Sequence, residues 1–179
     1  MAAATGDVTR PLSSAPKGVA LVVGQYSQVN VGDVMVNIGL EDKHLPGLVE
    51  LLADQWWTSE RTPTQVNIML QGSQLTFSAV RHFDEQLTVF VRVVTGDVFI
   101  TLSLDVVVAR SERGRGVGSK LIDEVVAHPV VRAVESLGFV CQPALVTYHT
   151  RWGFTGQVRD SGLMRRTTRR SLIGPRSSE

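Results

Sequence analysis

The stretch from Leu104 to Val126 combines residue types that could bind an anion. The apolar run "LDVVV" precedes "ARSERGRGVGS", where glycines and arginines alternate, and the helical pattern "KLIDEVV" follows. Glycine lets backbone N–H groups approach a ligand without a Cβ in the way, and a helix start presents unpaired N–H groups with partial positive charge. The sequence therefore predicts a phosphate or pyrophosphate site between a strand and a helix. A glycine-rich surface turn is the alternative.

Two familiar phosphate-binding patterns do not fit this loop. The dinucleotide fingerprint G-x-G-x-x-G, started at Gly114, would require Gly or Ala where the chain has Ser119. The P-loop ends in G-K-[S/T], whereas the order here is Gly-Ser-Lys. The anion site is thus predicted from backbone physics, with Arg113 and Arg115 as charge-assisted contacts.

The surrounding pattern predicts an α+β domain with a mixed, mostly antiparallel sheet flanked by helices. Apolar residues at helical spacing predict helices over 41–57, 63–71 and 119–127, and a short helix over 145–152. Alternating β-branched and aromatic residues predict strands in "VMVNIGL", "QLTFSAVRHF", "LTVFVRVVTGD", "VFITLSLDVVV" and "GFVCQPA", and a last strand near "GLMRR". The short turns between the middle three favour an antiparallel meander.

The 179 residues, 43% of them hydrophobic and 20% charged, suit a single globular domain over residues 33–166. A mostly disordered leader (1–32) and a disordered basic tail (167–179) are expected around it. The single cysteine, Cys141, allows no intramolecular disulfide and no zinc cluster, which favours the cytoplasm and no metal site. No apolar run is long enough for a membrane span, and the start lacks a signal-peptide pattern. The arginine-rich tail has no interleaved aromatic residues, so no nucleic-acid partner is expected.

The loop and its setting resemble the GNAT superfamily of acyl-CoA N-acyltransferases. Arg113-x-x-Gly116-x-Gly118 matches the family pattern [Q/R]-x-x-G-x-[G/A], between the strand "LDVVV" and the helix "SKLIDEVV". The distal "YHTRWGF" is similar to the family's "FYxxxGF" element. Further matches are "WW", "FVRVVTGD" and "HP", which are similar to a bacterial-type branch of N-acetyltransferases. The resemblance covers roughly residues 34 to 166.

The resemblance implies a sheet splayed open after its fourth strand, with acetyl-CoA bound in the opening. The pantetheine arm would pair with backbone of Val106, Val107 and Val108. The pyrophosphate would lie on the amides of the loop, which are those of Arg113, Gly114, Arg115, Gly116, Val117, Gly118 and Ser119. The family's fold often dimerises, which leaves a homodimer open.

Acetyl transfer to an amine needs a base, an oxyanion site and an acid for the leaving thiolate. Asp105 is the leading candidate base, because it interrupts an apolar strand where burial would raise its pKa. The alternative is that Asp105 satisfies backbone groups at a bulge. The Val107 amide is the expected oxyanion donor. The family's tyrosine position, separated from Gly-Phe by three residues, holds His149, and Tyr148 precedes it. Either could be the acid, and His149 is preferred because a one-residue offset turns Tyr148 about 100° away.

The acceptor pocket of the family lies near Trp56, Trp57 and Arg61, and Arg92 is a further candidate for contact with the acceptor. The predicted function is transfer of the acetyl group of acetyl-CoA to a primary amine, of a small molecule or a protein, by direct attack. A catalytically weak acyl-CoA sensor with the same fold is the alternative, favoured by the missing tyrosine. A nucleic-acid-binding protein would instead show affinity that falls steeply with salt.

Overall fold

The computed structural model describes residues 29–159, 164, 166–169 and 172. The strands are β1 (Val29–Val31), β2 (Val34–Ile38), β3 (Leu75–Arg81), β4 (Leu87–Thr95), β5 (Ile100–Val108) and β6 (Ser136–Phe139). The helices are α1 (Leu45–Ala53), α2 (Pro63–Gln71), α3 (Val117–Ala127), α4 (Pro129–Arg132) and α5 (Val146–His149). Among the described helices, none has the length and apolar character to cross a membrane.

The six strands form one sheet in sequence order from β1 to β6. Neighbouring strands are antiparallel except β5 and β6, which run parallel. The parallel pairing requires a crossover, and α3 and α4 supply it. The predicted α+β class, with a mixed and mostly antiparallel sheet flanked by helices, is confirmed.

A β-bulge interrupts the pairing of β4 with β5. The register shifts between Phe90 and Arg92, opposite the β5 segment from Leu104 to Val107. Asp105 lies in this bulge with a φ of +53°, in the left-handed region that Asp tolerates better than most side chains. The bulge re-aims the side chain of Asp105, so the strict two-residue alternation expected for β5 does not hold there.

Apolar side chains from the two faces of the sheet build two core clusters. Val89, Val91 and Val93 belong to the cluster that packs against α3. Phe90 and Val107 belong to the cluster that packs against α1 and α2. The alternation along β4 follows the pleat of a strand, and it leaves both faces buried. The sheet therefore forms a rigid middle layer from which the site residues project.

The connection between α1 and α2 is fixed by local hydrogen bonds. The buried Thr58 hydroxyl donates to the carbonyl oxygen of Leu52 over 2.5 Å. A capping box begins α2, since the Thr62 hydroxyl accepts from the Gln65 amide and the Gln65 side chain accepts from the Thr62 amide. This connection carries Trp56, and these hydrogen bonds fix the conformation on both sides of it.

Most predicted elements occur where the sequence indicates, with some differences in extent. The helix predicted over 41–57 ends at Ala53, because the residues after it form turns. The first strand begins at Val29, inside the segment predicted as leader. The strand predicted near "GLMRR", most of the leader and most of the tail lie outside the described residues.

Candidate active site

The loop between β5 and α3 has a backbone conformation that requires glycine. Gly114 and Gly116 have φ values of +77° and +84°, and Gly116 is the N-cap of α3. A Cβ at either glycine would meet no atom within 4 Å, so the space above both is open. At Gly118, by contrast, a Cβ would lie 3.1 Å from Val108 Cγ2, so this glycine lets α3 pack closely on β5.

The backbone N–H groups of this loop are mostly unpaired. Within the described residues, no acceptor contacts the amides of Gly114, Gly116, Val117, Gly118 or Ser119. The amides of Arg113 and Arg115 donate to the carbonyl oxygens of Arg110 and Glu112, over 3.3 and 3.4 Å. Among the described contacts, five amides are therefore free to bind an anion, rather than the seven that the sequence predicts, because two donate within local turns. The remaining amides suit an anion.

The arginine side chains of the loop differ in what they contact. Arg115 donates to Asp33 Oδ1 over 2.7 Å and to Glu112 Oε2 over 2.9 Å, so its terminal nitrogens are already held by carboxylates. Arg113 uses only Nε, which donates to the carbonyl oxygen of Val108, within the described contacts. Arg113 thus keeps its terminal nitrogens for a ligand, and Arg115 stabilises the loop.

The buried carboxylate of Glu112 stabilises the loop through two ion pairs. Its side chain is 0% exposed, and its two oxygens lie 3.4 Å from Arg81 Nη1 and 2.9 Å from Arg115 Nη1. A buried carboxylate is tolerated only when it is paired, and these two guanidiniums pair it. The sequence did not single out Glu112, because its partner Arg81 is 31 residues away.

Replacing Glu112 with Gln is expected to lower the free energy of unfolding by about 3 kcal/mol, because it breaks a buried ion cluster. Urea unfolding followed by circular dichroism measures this. Glu41→Gln is the matched control, since Glu41 is exposed and pairs with Lys43 alone among the described residues, and it should change little. Equal stability of the two variants would contradict the structural role given to Glu112.

The sheet opens between β5 and β6. Their pairing ends at Ser103 and Phe139, while β5 continues to Val108, so its edge from Leu104 to Val108 has no strand partner in the described chain. A cavity of about 300 Å³ lies in this opening, and we call it the splay cavity. Its lining residues are Trp56, Trp57, Asp105, Val106, Phe139, Val140, Cys141, Gln142, Pro143, Leu145 and His149.

Asp105 stands between two arginines. Its Oδ1 accepts from Arg61 Nη2 over 2.8 Å, and its Oδ2 accepts from Arg92 Nε over 2.6 Å, while only 7% of its side chain is exposed. We call these three residues the Arg–Asp–Arg cluster. Each carboxylate oxygen is engaged by one guanidinium, which fixes all three side chains.

The expected rise in the pKa of Asp105 is wrong. Burial alone would raise it, but the hydrogen bonds from Arg61 and Arg92, with their positive charges, outweigh burial and hold the pKa of Asp105 below its ordinary value. A carboxylate with a lowered pKa is a weaker base than an ordinary one. Asp105 lies beside the splay cavity, but its lowered pKa does not suit the role of base that the sequence predicts.

His149 and Tyr148 point to different places, as the 100° offset predicts. His149 is buried and lines the splay cavity, and its Nδ1 has no hydrogen-bond partner in the described structure. Burial, together with the charge of Arg151, lowers the pKa of His149, so the ring is neutral at pH 7. The Tyr148 hydroxyl instead lies 2.7 Å from Ser119 Oγ, at the start of α3.

Contacts that the sequence interpretation missed join the turn after α5, Thr150–Trp152, to α3. Trp152 Nε1 donates to Asp123 Oδ1 over 2.7 Å. The Arg151 guanidinium lies 4.2 Å from the Tyr148 ring centroid, and its Nη1 is 3.4 Å from Ser119 Oγ. Arg151 therefore places a cation beside the unpaired amides. No motif marks it, because it stands out only once α5 packs on α3.

The predicted acceptor residues fall into two groups. Trp56 is 60% exposed and lines the splay cavity with Trp57, and the two rings meet edge to face. Arg61 and Arg92 line a second cavity of about 450 Å³, the arginine cavity, together with Glu60, Gln65, Met69 and Arg169. The Arg–Asp–Arg cluster borders both cavities, because Asp105 lines the first and its partners line the second.

Several solved structures with this architecture are described as acetyltransferases. A Xanthomonas campestris protein assigned to the GNAT family is 27% identical, with 74% of this chain and 92% of that chain covered and a TM-score of 0.61. A GNAT-family acetyltransferase of Streptococcus pneumoniae is 15% identical, with 76% and 99% covered and a TM-score of 0.60. Glucosamine-6-phosphate N-acetyltransferase of Arabidopsis thaliana is 16% identical, with 75% and 99% covered and a TM-score of 0.61. No family profile and no curated protein sequence matches the chain.

Proposed function

We propose that this chain, which belongs by its fold to the GNAT superfamily of acyl-CoA N-acyltransferases, transfers the acetyl group of acetyl-CoA to a primary amine. The observation that carries the proposal is the set of unpaired amides at Gly114 and from Gly116 to Ser119, at the end of a strand whose edge is open. Acetyl-CoA has a pyrophosphate, which matches the unpaired loop amides. It also has an amide-bearing arm, which matches the free backbone groups along the edge of β5.

The residues present fit acetyl-CoA along its length. The pyrophosphate would lie on the unpaired loop amides, where the open space over Gly116 admits it and Arg113 adds a cation. The pantetheine arm would hydrogen-bond to the free edge of β5, at Val106 and Val108, as a strand would. The thioester end would then lie in the splay cavity beside His149.

Acetyl-CoA supplies a thioester carbonyl that an amine can attack. The C–N bond forms, the C–S bond breaks, and the thiolate takes a proton while the amine gives one up. The register of β5 with β4 turns the Val107 amide toward Phe90, so the amide of Val106, at the free edge of β5, is the proposed donor to the developing oxyanion. Because the ring of His149 is neutral and its Nδ1 is unpartnered, His149 can take the amine proton and pass it to the thiolate.

Asp105 has a different part in this proposal. Both of its oxygens accept from arginines, so we assign it to holding Arg61 and Arg92 in place rather than to removing the proton. Tyr148, whose hydroxyl contacts Ser119, is proposed to support the cofactor loop. The variants Asp105→Asn and His149→Gln distinguish between these two candidate bases.

The direct test is incubation of the protein with acetyl-CoA and a panel of primary amines, with free thiol and product mass as readouts. We expect amine-dependent thiol release and one or more acetylated products. Binding of acetyl-CoA without thiol release for any amine would favour the sensor, which the His149 at the tyrosine position also fits. Absence of acetyl-CoA binding would overturn both functions.

His149→Gln is expected to lower kcat at pH 7.5 by about 100-fold, the usual size of a general acid–base contribution. In the wild type, kcat at saturating amine should fall on the acid side only below about pH 6.5, because the folded pKa lies below the ordinary histidine value. The variant should lack this acid limb. An acid limb that persists in His149→Gln would assign the proton transfer to another group.

A further inference from the structure

The arginine cavity holds more positive than negative charge. Arg61, Arg92 and Arg169 line it, and the carboxylates that pair with them are Asp105 and Glu60. Two of these arginines share the single carboxylate of Asp105. The described cluster therefore has one cation more than it has anions, at a place where solvent is limited.

The donors of Arg92 are only partly used. A guanidinium carries five N–H donors, and Arg92 commits Nε to Asp105, while its Nη1 and Nη2 contact no acceptor in the described part of the chain. Only 17% of the side chain is exposed, and that part faces the arginine cavity. Nη1 and Nη2 form the end of the guanidinium fork, the geometry that suits an oxyanion.

Arg61 and Arg169 are held around the same space. Arg61 donates through Nη2 to Asp105 and through Nη1 to Met69 Sδ, over 3.2 Å. Arg169 Nη1 donates to the carbonyl oxygen of Trp57 over 3.2 Å. These contacts orient both side chains before any ligand arrives, so a ligand would not have to order them.

The cavity is adjacent to the proposed reaction centre. Asp105 lines the splay cavity, and the two arginines on its other side line the arginine cavity. An acceptor with an anionic group on Arg92 could therefore reach past Asp105 with its amine toward His149. A neutral acceptor would leave the excess cation of the cavity without a partner, which is costly in a half-buried site.

We propose that the acceptor is a primary amine that also carries an oxyanion, a carboxylate or a phosphate, and that Arg92 with Arg61 and Arg169 binds this oxyanion. The inference rests on the proposed acetyltransferase function and narrows its substrate class. Arg92 acts here as a substrate-binding residue, and Asp105 as the residue that positions it.

The activity test uses matched amines. β-Alanine is compared with β-alaninamide, and phosphoethanolamine with ethanolamine, each at saturating acetyl-CoA. We expect the preferred anionic amine to show a kcat/KM about 10-fold to 100-fold above its neutral partner, because hydrogen bonds to charged groups are worth this much. The two pairs also distinguish a carboxylate from a phosphate. Equal or higher kcat/KM for the neutral amines would overturn the inference and leave the acetyltransferase function standing.

Arg92→Lys tests the assignment to Arg92. It keeps a cation opposite Asp105 but removes the fork, so the preference for the anionic amine should fall through KM while kcat changes little. Arg110→Gln is the control, since Arg110 is exposed, pairs with Asp54 and lines neither cavity. An unchanged preference in Arg92→Lys would contradict the proposal.

A binding measurement covers the case in which no amine is acetylated. With coenzyme A at saturation, so that the loop amides are occupied, inorganic phosphate and propionate are titrated calorimetrically into the wild type, Arg92→Lys and Arg110→Gln. Binding of either anion that weakens only in Arg92→Lys supports the anion site even if the enzyme function fails. Absence of binding by both anions, or equal binding in all three proteins, would reject it.

Discussion

Gly116→Glu is expected to abolish acetyl-CoA binding. Gly116 has a φ of +84° and open space above it, so a glutamate there would extend into the position proposed for the pyrophosphate. Like charges brought together cost several kcal/mol, which corresponds to a loss of affinity of at least about 100-fold. Isothermal titration calorimetry with acetyl-CoA measures the effect.

Two further variants separate charge from backbone strain. Gly116→Ala introduces the strain of a side chain at positive φ without the charge, and it should weaken binding much less. Gly32→Glu places the same residue at another glycine with positive φ and open space, in the turn between β1 and β2, and should bind acetyl-CoA normally. Unchanged affinity in folded Gly116→Glu would contradict the location of the pyrophosphate.

Asp105→Asn is expected to affect both stability and turnover. It leaves two half-buried guanidiniums without their carboxylate, so the free energy of unfolding at pH 7 should fall by about 3 kcal/mol. Turnover should fall far more than acetyl-CoA affinity, because Asp105 lines the splay cavity and contacts none of the loop amides. Urea unfolding, kcat and calorimetry on the same preparation measure the three quantities.

The pH dependence identifies the part that Asp105 plays. Its pKa is lowered in the folded protein, so the stability that it contributes is complete above the ordinary carboxyl pKa of about 4 and is lost as the pH falls through the lower folded pKa. The stability difference from Asp105→Asn should therefore shrink below about pH 4. Between pH 6 and 9 the variant should reduce kcat by a constant factor. A reduction that varies with pH in this range would contradict the lowered pKa and restore Asp105 as a base that titrates near neutral pH. Asp54→Asn, at an exposed pair with Arg110, is the control.

The sequence predicts features that depend on neighbours in the chain. The glycine loop could be found because positive φ at Gly114 and Gly116 restricts these positions to one residue type. The helical rotation between Tyr148 and His149 could be found because it needs only residue spacing. Strand positions followed from composition, and the open edge of β5 followed from the family resemblance.

The electrostatics of the site could not be predicted in the same way. The pKa of Asp105 depends on Arg61 and Arg92, which lie 44 and 13 residues away in the sequence and meet it through the bulge in β5. The sequence indicates that the strand is buried, but it does not indicate that Asp105 meets two arginines. The expected direction of the pKa shift of Asp105 is therefore wrong. Likewise, Arg115 looks like a phosphate ligand in the sequence, yet in the fold it pairs with Asp33 and Glu112.

The most direct test of the central claim is a titration of the ¹⁵N-labelled protein, in which the backbone amide resonances are followed with coenzyme A and, separately, with pantetheine. We expect coenzyme A to shift the amides of Gly114 and Gly116 to Ser119 strongly, and those of Arg113 and Arg115 less, because these two donate within the loop. Pantetheine, which has no pyrophosphate, should shift only amides along the free edge of β5. Loop amides that stay unmoved by coenzyme A would contradict the cofactor site and, with it, the proposed transferase.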